Sequence, residues 1–175
     1  CEPVLYIDPM AMITTPFDID YNRGRESLLK HGSVGMGFGQ TIQRNEDHYN
    51  LYFQDLFFED IAKEKLFNIA TKYYSCKKEE ANIEIDAFYT QCLLLIESKF
   101  AKSKNWDYLN RGFSNKVFES AQGILLDQHH GFFPNVTRSN TTSKNILELC
   151  PNLDEIYYCT RTYQTRHGNG FMTNE

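Results

Sequence analysis

Two long stretches of the sequence carry apolar residues at helical spacing, and they constrain the fold more than any other feature. In residues 55–75 the apolar residues close to this spacing are Phe57, Ile61, Leu66, Ile69, Ala70 and Tyr73. In residues 83–100 they are Ile85, Phe88, Tyr89, Cys92, Leu95, Ile96 and Phe100. A period near 3.6 places each set on one helix face, which needs another surface to bury it. We therefore predict two long helices joined near residues 76–81, with both stripes in the core.

The segments before these helices predict a strand and a further helix. Val4-Leu5-Tyr6-Ile7 is β-branched and aromatic, and Asp8-Pro9 turns the chain after it. Thr15-Pro16-Phe17-Asp18 predicts a helix start, because Thr is a good N-cap, Pro suits the first helical position and Asp at the third can answer the cap. This helix is expected to run to about Lys30.

The second half of the chain predicts shorter elements. Residues 116–119 and 156–166 favour strands, and residues 141–149 favour a helix capped by Asn140. The alternation of strands and helices along the whole chain indicates an α/β sheet with a helical excursion. A length of 175 residues fits one domain over residues 1–175.

Charge and cysteine usage exclude several classes of function. Lys plus Arg number 18 and Asp plus Glu 23, so the net charge is −5 and no clustered basic footprint points to nucleic acid. The longest apolar run, Cys92–Ile96, is too short to cross a bilayer. The five cysteines form no Cys-x-x-Cys pair, which favours reduced thiols over a disulfide framework or a zinc site. We expect a cytoplasmic protein without nucleic-acid or membrane partners.

Residues 32–40 contain four glycines, at positions 32, 35, 37 and 39, and predict a loop that continues through residues 44–50. Two interpretations stay open at this point. Backbone N–H groups of such a loop can cradle a phosphate. A tightly turning surface loop is the alternative, because the stretch matches neither the Walker A motif nor the dinucleotide fingerprint.

Two further clusters carry polar chemistry. Asp127, His129 and His130 have the residue types of a metal or acid–base site, but their spacing matches no known ligand set, which favours a hydrogen-bonding or solvent-facing pair of histidines. Residues 137–142, Thr-Arg-Ser-Asn-Thr-Thr, precede the predicted helix and offer hydroxyl groups together with free N–H groups. These groups suit an anion pocket and a helix cap that has more polar side chains than it needs equally well.

The second half also carries motifs in a specific order. Residues 117–127 read Val-Phe-Glu-Ser-Ala-Gln-Gly-Ile-Leu-Leu-Asp, and residues 131–142 read Gly-Phe-Phe-Pro-Asn-Val-Thr-Arg-Ser-Asn-Thr-Thr. Residues 160–170 and 173–175 follow as Thr-Arg-Thr-Tyr-Gln-Thr-Arg-His-Gly-Asn-Gly and Thr-Asn-Glu. Earlier in the chain, residues 32–39 read Gly-Ser-Val-Gly-Met-Gly-Phe-Gly. In order and spacing, this set resembles the adenylosuccinate synthetase family.

The resemblance implies a fold and an activity. The chain would be the central segment of a P-loop-like mixed sheet with a long helical excursion, with a helical part at about 55–104 and a motif-bearing sheet part at about 116–175. The family joins IMP to aspartate using GTP and magnesium: GTP phosphorylates the 6-oxygen of IMP, and the aspartate amine displaces that phosphate. A homodimer is implied as well, in which one subunit sends an arginine onto the phosphate bound by the other.

The resemblance assigns substrate contacts to named positions. Gln122 matches the glutamine that contacts the hypoxanthine base and stabilises the phosphorylated intermediate, and Thr137 matches the threonine that binds the IMP 5′-phosphate. Ser33 and Val34 match two threonines of the glycine loop, so the hydroxyl is lost at Val34. At the position of the cross-subunit arginine, an ungapped alignment places His48 and an alignment with one gap places Arg44.

The family motifs for GTP and magnesium do not occur in the sequence. It contains no Gly-Asp-Glu-Gly-Lys-Gly phosphate loop, no arginine-rich aspartate loop and no guanine-recognition motif. The resemblance therefore implies IMP binding without a catalytic residue or metal ligand in this chain, and no ligase activity for the chain alone. A non-catalytic monophosphate-binding or regulatory module is the alternative, favoured by Val34 and by Arg138, which replaces a serine of the family.

Overall fold

The computed structural model describes residues 3–30, 32–120, 122–163, 165–166 and 170–172. Within them, six α-helices accompany one parallel sheet of two strands, so the protein combines α and β structure. The strands are β1 (Leu5–Ile7) and β2 (Ala101–Ser103), and the helices are α1 (Pro16–Leu29), α2 (Phe38–Glu46), α3 (Glu59–Asn68), α4 (Lys78–Ile96), α5 (Trp106–Gly112) and α6 (Lys144–Leu149). Short 3₁₀ helices lie at Phe53–Phe57 and Ile124–Leu126, and a π-helix at Ile69–Tyr73.

The described residues fall into two compact units. The first unit takes those within 1–24 and 35–114, and the second takes those within 25–34 and 115–175. Helix α1 contributes to both units, with the division after Gly24. The single domain expected over residues 1–175 stays a prediction.

The core of the first unit is built on the two predicted long helices, which are confirmed as α3 with its π-helical extension and as α4. Leu66 and Ile69 are buried from the first stripe, and Ile85, Tyr89 and Cys92 from the second. The stripe prediction is wrong at Phe57, Ile61, Leu95 and Phe100, which are exposed. Phe100 follows the end of α4 at Ile96, so the helical face no longer directs its side chain.

The sheet confirms one strand prediction and adds a strand that was not predicted. In β1, Leu5 pairs with Ala101 and Ile7 with Ser103 of β2, in parallel. Strand β2 is short and polar, so its sequence carries no clear strand pattern. The predicted strands at 116–119 and 156–166 are wrong, because the described residues of both segments form no strand.

These two segments have strand-like composition without a strand's environment. The side chains of Val117, Tyr157 and Tyr158 are 97%, 79% and 86% exposed. A strand needs a neighbour that satisfies its backbone N–H and C=O groups, and composition alone does not supply one. Gln164, His167, Gly168 and Asn169 lie outside the described residues.

Helix α1 begins as the sequence predicted. The Thr15 hydroxyl accepts a hydrogen bond from the Asp18 backbone N–H at 3.3 Å, and the Asp18 carboxylate accepts one from the Thr15 N–H at 2.7 Å. This reciprocal pattern satisfies donors that a helix start leaves without intrahelical partners. Both residues are fully buried, so the cap is part of the interior.

Asp18 also joins two other elements to this cap. Arg44 of α2 forms a buried ion pair with it, with its Nε donating to Oδ1 at 2.9 Å, and the Tyr74 hydroxyl donates to the same oxygen at 2.7 Å. The guanidinium also donates to the carbonyl groups of Ile13 and Tyr49. One charged pair therefore fixes the start of α1, helix α2 and two loops of the first unit.

Removing the arginine leaves a buried carboxylate without its counter-charge, which is costly. We expect Arg44→Ala to lower the free energy of unfolding by about 3–5 kcal/mol, measured by urea denaturation. Lys77→Ala is the control, because the Lys77–Glu80 pair is exposed at both side chains. The control is expected to cost less than about 1 kcal/mol. Equal costs for the two variants would contradict a central role for the buried pair.

Tyr74 gives the fold a defined response to alkaline pH. Burial, followed by the hydrogen bond to Asp18, raises the pKa of Tyr74. The folded state therefore favours the neutral phenol, and its contribution is complete below the unfolded pKa of about 10 and is lost as the pH rises above it.

We expect the free energy of unfolding to fall less steeply above about pH 10 in Tyr74→Phe than in the unsubstituted chain. At pH 7 the variant loses a hydrogen bond to a charged group and is expected to be about 1–2 kcal/mol less stable. Denaturant unfolding between pH 7 and 11.5 measures both effects. Tyr158→Phe, at an exposed side chain, is the control. An unchanged alkaline slope in Tyr74→Phe would contradict this assignment.

Candidate functional site

Four of the five predicted site residues lie in loops, and the fifth, Arg44, lies in helix α2. Gln122, Thr137, Ser33 and Val34 belong to the second unit, and Arg44 belongs to the first. Of the second unit's four, Gln122, Ser33 and Val34 are exposed, while Thr137 is half-buried. The local structure around Gln122 and Thr137 is the most strongly determined of these, because both residues belong to one hydrogen-bonded segment.

That segment, residues 122–141, is centred on Asp127 and is named the Asp127 loop. The Asp127 side chain is fully buried, and its Oδ1 accepts hydrogen bonds from the backbone N–H groups of His129 at 2.8 Å and His130 at 3.1 Å. Its Oδ2 accepts a third from the Thr141 N–H at 2.6 Å. These donors, that of His129 foremost, hold the pKa of the Asp127 carboxyl below its usual range, against the opposing effect of burial.

This geometry decides between the two interpretations of Asp127, His129 and His130. The histidines meet the carboxylate through their backbone amides, and both residues are exposed. Over the part of the chain that the structure describes, no group of three or more His, Cys, Asp or Glu residues is arranged to hold a metal ion. Asp127 therefore organises a loop.

Further hydrogen bonds connect the Asp127 loop to the two predicted substrate contacts. The Thr137 N–H donates to the Leu126 carbonyl at 2.8 Å, which fixes the backbone of Thr137 against the 3₁₀ helix. The Thr141 hydroxyl donates to the Gly123 carbonyl at 2.8 Å, next to Gln122. Gln122 has a positive φ of 71°, a conformation that a residue other than glycine adopts only where its surroundings hold it.

The hydroxyl of Thr137 is available to a ligand. The hydrogen bond given for Thr137 involves its backbone N–H, which donates to Leu126, and not its side chain. A half-buried hydroxyl on a fixed backbone suits the recognition of a phosphate oxygen, because its position costs little entropy to define.

At residues 137–142, where an anion pocket and a helix cap were equally expected, the structure changes both the cap residue and the N–H groups that are free. Helix α6 begins at Lys144 with Ser143 as its N-cap, so the prediction of Asn140 as the cap is wrong. The N–H groups of Thr137 and Thr141 already donate to Leu126 and Asp127. The local sequence pattern correctly indicated a helix start. It could not show that the Thr141 N–H donates to Asp127, which lies 14 residues earlier in the chain. A ligand here would meet side-chain hydroxyls rather than those two amides.

The glycine loop and its continuation are confirmed over residues 32–37 and 47–50 and wrong over residues 38–46, which form helix α2. Gly32, Gly35 and Gly37 all have positive φ angles, of 80°, 72° and 77°. Helix α2 starts at Phe38, inside the stretch predicted as loop, because Gly37 in the left-handed conformation ends the loop and serves as the helix N-cap.

The two parts of this loop are held differently. Within the first unit, the Gly35 carbonyl accepts a hydrogen bond from Arg23 Nε at 3.2 Å, and the Gly37 N–H donates to Asn22 Oδ1 at 3.2 Å. Within the second unit, Ser33 is exposed and the side chain of Val34 is 80% exposed. The interpretations of this stretch as a phosphate cradle and as a surface loop both stay open.

Arg44 and His48, the two alternatives for the cross-subunit position, have opposite environments. Arg44 is fully buried and engaged by Asp18, so a phosphate would have to displace that carboxylate to reach it. His48 is exposed and lines a cavity of about 340 Å³ together with Lys65 and Lys72. Lys65 in turn pairs with Asp55 at 2.7 Å. The assignment of a phosphate contact to either residue stays a prediction.

The close approach at Gly131 is a feature that the sequence did not single out. A Cβ there would lie 2.5 Å from the Leu125 carbonyl oxygen, 2.7 Å from that of Asp127 and 2.7 Å from Val136 Cγ1. Two of these neighbours are backbone atoms that cannot move without shifting the Asp127 loop. At Gly123, by contrast, a Cβ would meet nothing within 4 Å.

We expect Gly131→Ala to open the Asp127 loop and Gly123→Ala to leave it intact. The cost at Gly131 is expected to be about 1–3 kcal/mol, because the added methyl group overpacks a tight approach. Hydrogen exchange of the Thr137 and Thr141 amides, whose partners are given above, measures the opening directly. Equal protection of these amides in the two variants would contradict the importance of the close approach.

The described helices include none that is long and apolar enough to cross a membrane. The four described cysteines, Cys76, Cys92, Cys150 and Cys159, are free thiols.

Comparison with known proteins gives a consistent family match. A family model described as adenylosuccinate synthetase matches residues 1–175. Curated proteins named adenylosuccinate synthetase are similar to the chain at low identity, each over 185 aligned residues. The identity is 26% for the protein of Histophilus somni (strain 129Pt), 27% for that of Pasteurella multocida (strain Pm70) and 28% for that of Paraburkholderia xenovorans (strain LB400). Each match covers 98% of this chain and 43%, 43% and 41% of the relative, respectively. The chain thus spans less than half the length of these curated relatives.

Proposed function

The chain belongs to the adenylosuccinate synthetase family, and from this premise we propose that it is the IMP-binding segment of an adenylosuccinate synthetase-like purine-nucleotide ligase. The observation that carries the proposal is the Asp127 loop. It holds the backbone of Thr137, leaves that residue's hydroxyl available, and connects through Gly123 to Gln122. These are the two positions that match the family's base and phosphate contacts.

The proposed roles follow from the chemistry of each side chain. The Gln122 amide both donates and accepts, which suits the hypoxanthine edge and the 6-oxygen of IMP. The Thr137 hydroxyl donates to the 5′-phosphate. On the glycine loop, Ser33 offers a hydroxyl to the phosphate, whereas Val34 offers only its backbone N–H. In a homodimer, the exposed His48 would reach the phosphate bound by the partner subunit, whereas Arg44 would do so only after leaving its ion pair with Asp18.

Magnesium and GTP belong to the family's reaction, but the described residues do not fit either group. Magnesium prefers carboxylate oxygens, and both oxygens of the buried Asp127 are taken by backbone amides. The sequence holds no Gly-Asp-Glu-Gly-Lys-Gly motif for the phosphates of a nucleoside triphosphate. We therefore propose that this segment binds and orients IMP in the cytoplasm, and that ligands for GTP and magnesium belong to other parts of a P-loop-like mixed sheet.

A non-catalytic module that kept only the monophosphate site is the second candidate. It is favoured by Val34, which is 80% exposed and lacks the hydroxyl of the family's threonine. The segment proposal requires that the longer protein of which it would form a part makes adenylosuccinate from IMP, aspartate and GTP. The module proposal requires IMP binding and no turnover in that protein.

We expect calorimetric titration of the 175-residue chain with IMP to give one binding event that weakens by about tenfold in Gln122→Ala and in Thr137→Val, the loss of roughly one hydrogen bond each. Gln91→Ala and Thr90→Val, at exposed side chains of helix α4 outside the motifs, are the matched controls. The isolated chain, mixed with IMP, aspartate, GTP and magnesium, is expected to form no adenylosuccinate.

The outcomes separate the parts of the proposal. Absence of heat with the unsubstituted chain would overturn the IMP site. Equal weakening in the variants and their controls would overturn the assignment to Gln122 and Thr137. Turnover by the isolated chain would overturn the view that the GTP ligands lie elsewhere.

A further inference from the structure

We infer that Asp127 is a positioning residue for the phosphate-binding part of the proposed IMP site, acting through the backbone that presents Thr137. The inference rests on the proposed function, because it assigns a task to a residue that would not touch the substrate. Nothing in the match to the family assigns this task, and the observations that carry it are burial and hydrogen bonding within the second unit.

The first observation is that Asp127 occupies the centre of its unit. Among the described residues of the second unit it is the only buried one, and the buried apolar side chains of the described part of the chain all belong to the first unit. A loop of this length usually depends on packed apolar side chains to keep one conformation. Here that function falls to a carboxylate and the N–H groups that surround it.

The second observation is where the three donors lie along the chain. His129 and His130 follow Asp127 directly, while Thr141 lies 14 residues after it. The carboxylate therefore binds both ends of the segment that contains Thr137. A second connection, from the Gln128 N–H to the Ser139 carbonyl at 3.1 Å, brings the same two ends together.

The third observation is that the carboxylate is closed to a ligand, because its side chain is fully buried beneath the groups that donate to it. Oδ1 accepts two hydrogen bonds and Oδ2 accepts one very short one of 2.6 Å. Three N–H dipoles directed at the carboxylate also offset a negative charge that would otherwise repel a phosphate bound by the same loop. Asp127 therefore contributes shape to the site and no direct contact.

The chemistry of this arrangement requires two acceptor oxygens. Asparagine has the same shape as aspartate, but its NH₂ group would face either the Thr141 N–H or the His129 and His130 pair, and two donors do not bond. Asp127→Asn thus removes at least one of the three hydrogen bonds while keeping the volume of the side chain. Asp127→Glu keeps both acceptor oxygens on a side chain that is one methylene longer.

The experiment compares two ligands that differ only in the phosphate. The 175-residue chain, Asp127→Asn and Asp127→Glu are each titrated with IMP and with inosine, and the ratio of the two affinities is recorded. We expect the ratio to fall by about tenfold in Asp127→Asn, with inosine affinity changed less than about twofold, and to recover in part in Asp127→Glu. Asp55→Asn is the control, because Asp55 is also a buried carboxylate that accepts a backbone N–H, from Tyr52 at 2.8 Å.

A purely structural role for Asp127 predicts a different result, in which both ligands weaken together or only the stability changes. An unchanged ratio in Asp127→Asn, or a ratio that falls as far in Asp55→Asn, overturns the inference. If the amide spectrum shows that Asp127→Asn has lost its fold, the same comparison is made with Asp127→Glu, and an unchanged ratio there overturns it too. Failure of the unsubstituted chain to bind IMP overturns the proposed function, and the inference with it, before any variant is compared.

Discussion

A buried carboxylate must find donors for its oxygens, and each unit of this protein is arranged around one that does. Burying an unpaired charge costs far more free energy than one residue's packing can return, so the surrounding structure is constrained to supply partners. In the first unit, Asp18 meets Thr15, Arg44 and Tyr74. In the second unit, Asp127 meets three backbone amides.

The two carboxylates are stabilised by different kinds of donor and have different structural roles. Asp18 is neutralised by a full positive charge and lies next to an apolar core that contains Phe17, so the ion pair is one element of a packed interior. Asp127 is held instead by the partial charges of N–H groups, which are short-range and directional. The first arrangement connects secondary-structure elements, whereas the second fixes the path of a single loop.

The sequence predicted those features that depend on local chemistry. The Thr15-Pro16-Phe17-Asp18 cap, strand β1 and the helices α3 and α4 are all confirmed, because capping residues and apolar periodicity act within a few turns of chain. The strands expected at 116–119 and 156–166 were wrong, since strand formation depends on a partner that composition does not reveal. Strand β2 and helix α2 were not predicted, because their local sequences give no signal for these structures. Strand β2 is a short polar segment, and helix α2 contains a glycine at position 39.

The candidate site was predictable only in part, and by two different routes. The match of residues 1–175 to the adenylosuccinate synthetase family confirms the resemblance that the motifs carried. The contacts of Gln122 and Thr137 with a nucleotide stay predictions. The role of Asp127 in its loop was not foreseen, although an aspartate that accepts amides two and three residues ahead is a known turn pattern. Its third bond, to Thr141, spans too much sequence to be read from spacing.

The absence of fully buried apolar side chains among the described residues of the second unit has a thermodynamic consequence. The heat capacity rises on unfolding because apolar surface becomes hydrated. The slope of the free energy of unfolding against denaturant concentration scales with the total surface exposed. Opening of the Asp127 loop therefore carries a small heat-capacity change, while the first unit dominates that of the whole chain. The loop's stability is consequently a nearly linear function of temperature, set by the enthalpy of a few hydrogen bonds, and it lacks the pronounced curvature of a hydrophobic core.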